Sequence, residues 1–121
     1  MANNPRHLRP SLVYTDDVIS YFANMRKSNN QTVRIIQVGA NDGKTNDPVH
    51  SYIKNYKWEG ILLEPQEYVF QNELTKTYAG NNLVQLENVA IAGNSGELPF
   101  YRISFTNARW ATGLATFYRP S

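Results

Sequence analysis

Residues 33–38 read VRIIQV, and the next five read GANDG. A run of β-branched residues gives way within one position to a turn of small ones. Val33, Ile35, Ile36 and Val38 leave little polar surface on either side of the run, the composition of a strand buried in a parallel sheet. The turn Gly39-Ala40-Asn41-Asp42-Gly43 serves either as a tight corner into a helix or as a place where backbone lies against a ligand. This stretch constrains the chain more than any other, because a parallel strand commits its neighbours to crossovers and an α/β architecture.

The neighbouring segments carry the same message. Residues 1–14 are rich in Pro, Asn and Arg and read as an irregular arm. A helix is expected over 15–27, capped by Thr15, with Asp16 and Asp17 at its positive end and Arg26 and Lys27 at its negative end. Val18, Ile19, Phe22 and Met25 fall on its apolar face. After the turn, Asp47-Pro48 supplies an N-cap followed by proline at the first helical position. Val49, Tyr52, Ile53 and Tyr56 then recur at helical spacing, and Trp58-Glu59-Gly60 closes that helix. A second strand, Ile61-Leu62-Leu63, stops at Glu64-Pro65. A helix over 66–78 follows, with Gly80 beyond its end. A third strand is expected over Leu83–Ile91, and Asn94-Ser95-Gly96 turns the chain into an antiparallel strand over Leu98–Phe105. The tail from Thr106 to Ser121 shows no periodicity.

One domain is expected from 121 residues, with 15–121 forming a partial cofactor-binding α/β unit behind the 1–14 arm. Net charge is +2 and the arginines are scattered, which argues against nucleic acid, since phosphate-backbone binding needs a clustered basic face. The absence of cysteine removes disulfides, thiolate metal sites and cysteine nucleophiles, and no metal site is assigned. With no apolar stretch near the roughly 20 residues that span a bilayer, no membrane partner is expected and the reading is cytoplasmic.

Ligands of open α/β sheets bind at the carboxyl ends of the strands. Gly39 stands at the end of the first strand, and Glu64 stands at the end of the second, 25 positions later. Glycine allows close backbone approach, and an acid ending the next strand suits the hydroxyls of a ribose. The dinucleotide fingerprint has a third glycine where Lys44 stands here, so a pyrophosphate cofactor, and with it hydride transfer, is disfavoured. A nucleoside cofactor such as S-adenosylmethionine fits better. Asp42 reads as a turn cap, and His50 reads as a solvated residue off the apolar face of its helix.

The stretches IQVGANDG, GILLEPQ and LENVAIAGNSGELPFY, with WATGLATF at Trp110–Phe117, together resemble the FkbM family of S-adenosylmethionine-dependent methyltransferases over residues 33–117. The resemblance implies a Rossmann-like class I methyltransferase fold, here truncated to about three parallel strands plus an antiparallel one. It implies that Gly39, Ala40, Asn41 and Gly43 line the methionine part and ribose. Glu64 would hold the ribose hydroxyls, with Pro65 shaping the turn and Asn88 and Val89 near the adenine. The implied substrate is a small molecule, methylated on a hydroxyl oxygen of a sugar or natural product. Gln37 stands where the family often has an acid beside the cofactor. The family's fourth strand, ending in a D-x-E-G-like turn, has no counterpart in these residues, and no catalytic residue is assigned. A second reading is therefore a non-catalytic α/β binding or assembly module. Without a fourth strand, the Val33–Val38 edge would lie open, and self-association or coverage by a terminal segment is expected.

Overall fold

The computed structural model describes residues 14–101. Within them the order is α1 (Thr15–Ser28), β1 (Arg34–Val38), α2 (His50–Asn55), β2 (Glu59–Leu63), a helix α3 over 67–77, and β3 (Val84–Glu87). The strands form one parallel sheet in the order β1-β2-β3. Ile35 lies beside Gly60 and Val38 beside Leu63; Gly60 in turn lies beside Val84 and Leu63 beside Glu87. The α/β reading and the three parallel strands therefore hold. Of the antiparallel strand expected at Leu98–Phe105, residues 98–100 are not strand and Tyr101 makes a single β-bridge; residues 102–105 lie outside the described ones, as do Trp110–Phe117 and residues 1–13 of the arm.

Both crossovers step the same way across the sheet, and right-handed connections then place their helices on one face. The core reflects this. Ala23 of α1, Ile53 of α2, Leu62 of β2, and Leu74 and Tyr78 of α3 and its end form one buried cluster. Ile35, Val84 and Leu86 pack against it from the strands. On the opposite face Ile36 is 72% exposed and Val38 62%, while Leu63 beside Val38 is buried. The expectation that β1 is covered on both sides is thus corrected, because among the described residues no element lies over its second face.

Local chemistry explains the other departures. In α1 the buried face is Ile19, Phe22 and Ala23, while Val18 and Met25 point outward. The small Ala23 lets the helix approach closely, and Phe22 meets the Trp58 ring edge-on at 6.2 Å, which turns the helix away from the predicted face. The cap is Tyr14, whose carbonyl accepts from Asp17 N at 3.0 Å, and Thr15 makes no capping bond. β2 begins at Glu59, two residues early. Gly60 belongs inside it because a Cβ there would collide with the Ile35 carbonyl. The middle of α3 is a π-helical turn, Phe70–Leu74. Val69, Leu74 and Tyr78 are all buried, and the five-residue step from Val69 to Leu74 needs that wider turn to keep one face inward. β3 stops at Glu87, short of Ile91, because the Asn88 side chain turns back to donate to the Glu64 carbonyl at 2.8 Å.

Candidate functional site

The carboxyl ends of β1 and β2 are joined by their own backbone. Gly39 N and Ala40 N both donate to the Leu63 carbonyl at 2.9 Å, and Gly43 N closes a turn onto the Ala40 carbonyl. Gly39 (φ +77°), Asn41 (φ +53°) and Gly43 (φ +75°) are left-handed, a conformation that suits glycine and that asparagine tolerates. The two glycines nevertheless do different work. Around Gly39 no atom lies within 4 Å of where a Cβ would stand, so its surface is open to a ligand. At Gly43 the same Cβ would meet Tyr78 at 2.7 Å and Leu74 at 2.8 Å, so that glycine makes room for α3.

Glu64 is 2% exposed. Its Oε2 accepts from Asn41 N at 2.7 Å, and its Oε1 accepts from Gln66 N at 3.0 Å and Gln66 Nε2 at 3.3 Å. A carboxylate offers about four acceptor positions, so these bonds leave about one, on Oε2. The side chain therefore ties the turn after β1 to the turn after β2.

Beneath this turn lies a polar anchor. Asp42, 1% exposed, accepts from Lys44 N at 3.0 Å, Thr45 N at 2.9 Å and Thr45 Oγ1 at 2.5 Å. Its carbonyl accepts from Thr77 Oγ1 at 2.6 Å. The buried Tyr78 hydroxyl donates to the Gly43 carbonyl at 3.0 Å, and His50 Nδ1 lies 3.3 Å from it. Burial, and then the nearby Asp47 and Asp42, push the Tyr78 phenol well above its ordinary pKa, so it stays a donor at neutral pH. His50, expected to be solvated, is instead half-buried against Tyr78. Asp47 Oδ1 accepts from Val49 N and His50 N, both at 2.9 Å, in a turn just ahead of α2; the N-cap is Val49 and the first helical residue His50, not the expected Asp47 and Pro48.

The predicted residues thus separate into two groups. Gly39, Asn41, Glu64, Pro65 and Asn88 meet where the strands end. Pro65, Asn88 and Val89 also line a cleft of about 800 Å³ between the start of α3 and residues 88–100. Gln37, Ala40 and Gly43 face the helices. Ala40 is a core residue at 3% exposure. Gln37 Nε2 donates to Asp47 Oδ2 at 2.8 Å, while its Oε1 is buried without a partner. An acid at position 37 would set two carboxylates together, which accounts for an amide there. Sequence reasoning missed Gln66, Thr77 and Tyr78. The one available signal was the apolar Tyr78 ending a helix, and its partner Gly43 lies 35 positions away.

No family model, curated protein or solved structure matches the chain. No helix among the described residues is long and apolar enough to cross a membrane.

Proposed function

We propose that the chain is the S-adenosylmethionine-binding part of an O-methyltransferase resembling the FkbM family, with a Rossmann-like fold. The observation that carries this reading is the meeting of open, left-handed Gly39 with the buried Glu64 carboxylate at the ends of adjacent parallel strands. The residues fit a nucleoside. Gly39 admits close approach, the remaining Oε2 position of Glu64 suits one ribose hydroxyl, and the cleft beside Pro65, Asn88 and Val89 has room for a base. A second hydroxyl would have to displace a Gln66 donor from Oε1. The cofactor would supply an electrophilic methyl group for a hydroxyl of a small-molecule acceptor. No described residue is assigned to hold that acceptor in line with the methyl, so methyl transfer is not expected from this chain alone.

The alternative is a non-catalytic binding or assembly module. Its support is that Asp42 and Glu64 already spend most of their acceptor capacity on the turns themselves. Calorimetric titration separates the two. On the cofactor reading, S-adenosylmethionine should bind the parent chain and NAD should not. Glu64→Gln keeps one acceptor oxygen and weakens binding by up to about tenfold, or about 1.4 kcal/mol. Absence of heat with the folded parent chain, or equal affinity in Glu64→Gln, rejects the cofactor reading.

A further inference from the structure

Glu64 and Gln66 face each other across Pro65, and their contact decides how many acceptor positions the Glu64 carboxylate has left. Pro65 has no N–H, so the local backbone donor that reaches Glu64 Oε1 is Gln66 N, at 3.0 Å. The Gln66 side chain then folds back onto the same oxygen, with Nε2 at 3.3 Å. Charge fixes the orientation of that amide. Turned over, its oxygen would face the carboxylate, so the amino group is the end that meets Oε1. Both acceptor positions of Oε1 are thereby taken. Oε2 holds Asn41 N at 2.7 Å and keeps one position. Glu64 is 2% exposed and Gln66 6%, so the pair sits inside the strand-end turn rather than in solvent.

From this we infer that Gln66 is a specificity-determining residue of the strand-end site. It limits Glu64 to one hydroxyl of a bound ribose, so the site takes a deoxyribonucleoside lacking the other hydroxyl as readily as the full ribonucleoside. This rests on the cofactor reading and adds to it the class of sugar accepted. A carboxylate with a free position on each oxygen would accept from both vicinal hydroxyls and would reject either deoxy form, because bonds to a charged acceptor are strong. Here the second hydroxyl meets an oxygen that already holds two N–H groups. Deleting that hydroxyl strands no partner, whereas deleting the first leaves a buried Oε2 position empty. The bonds from Asn41 N and Gln66 N are backbone bonds, so the limit is set by one replaceable side chain.

Calorimetric titration with S-adenosylhomocysteine and with its 2′-deoxy and 3′-deoxy forms tests this. The chains compared are the parent and Gln66→Met, which keeps the length and bulk of the side chain without a donor. In the parent, one deoxy form should bind within about twofold of the full ligand and the other at least about tenfold more weakly. In Gln66→Met both deoxy forms should fall at least about tenfold behind, because Oε1 has regained a position for the second hydroxyl. A parent chain that rejects both deoxy forms about tenfold overturns the inference and leaves the cofactor reading standing. So does a folded Gln66→Met chain that keeps the parent's tolerance. Two deoxy forms that both match the full ligand in the parent take Glu64 out of ribose binding and overturn it as well. A parent chain that binds none of the three overturns the cofactor reading, and this inference falls with it. The three titrations of the parent decide the matter even where Gln66→Met fails to fold.

Discussion

Leu62 and Ile36 are both aliphatic strand residues, one on each face of the same small sheet. Leu62 is fully buried against three helices, and Ile36 is 72% exposed. The difference comes from connectivity. Two crossovers of one hand, stepping the same way, cover one face, and on the other face the β1 side stays open. A second contrast follows it at the strand ends. Gly43 and Asp42 are locked against α3, while Gly39, four residues earlier, faces open space. The half of the turn that touches the covered face is structural, and the half that leads away from it is where a ligand can lie.

The contrast between the faces is sharpest in stability. Leu62→Ala should cost about 2–5 kcal/mol, as large-to-small changes in a core do. Ile36→Thr keeps β-branching on the open β1 side and should stay within about 0.5 kcal/mol. Urea unfolding of both variants checks this, and similar midpoints would mean that the second face is covered in solution.

The glycines should separate next. Gly43→Ala combines a left-handed backbone penalty of about 1–2 kcal/mol with overpacking of about 1–3 kcal/mol against Tyr78 and Leu74. Gly39→Ala carries the backbone penalty alone. Thermal unfolding should therefore place Gly43→Ala well below Gly39→Ala, and the reverse order would remove Gly43 from its packing role.

The smallest effect is alkaline. Burial and the charges of Asp47 and Asp42 raise the Tyr78 pKa on folding. The folded state then holds the proton where the unfolded chain has lost it. This stability is fully present below the ordinary tyrosine value of about 10 and is lost as pH rises beyond it, by up to about 1.4 kcal/mol per unit. Tyr78→Phe should flatten that slope while losing the bond to Gly43. A Tyr78→Phe chain with the parent's slope would assign the alkaline loss to another group.

Much of the fold was legible in local pattern. The β-branched run and the helical spacing of Val49, Ile53 and Tyr56 each report short-range periodicity, and the parallel sheet follows from their alternation. The turn at Asp47 was legible because its side-chain bonds act within three residues, although the helix itself starts two residues later than expected. What the pattern concealed depends on distance. Which face of α1 turns inward is decided by Trp58, and the phase of α3 is decided by the turn at Gly43. At the site, Gly39 and Glu64 were placed by the rule for strand ends. The engagement of Glu64 with Asn41 and Gln66, and the retreat of Gln37 to Asp47, required the register between strands.

The most direct test is a residue-resolved titration of the ¹⁵N-labelled chain with S-adenosylhomocysteine, the demethylated product of the proposed cofactor. The account predicts saturable amide shifts at Gly39, Asn41, Glu64 and Asn88, with Gly43 and Thr45 nearly still on their anchor. No shift at ligand concentrations up to about 1 mM, a dissociation constant weaker than about −4 kcal/mol of binding, would contradict it. So would shifts confined to residues away from the carboxyl ends of β1 and β2.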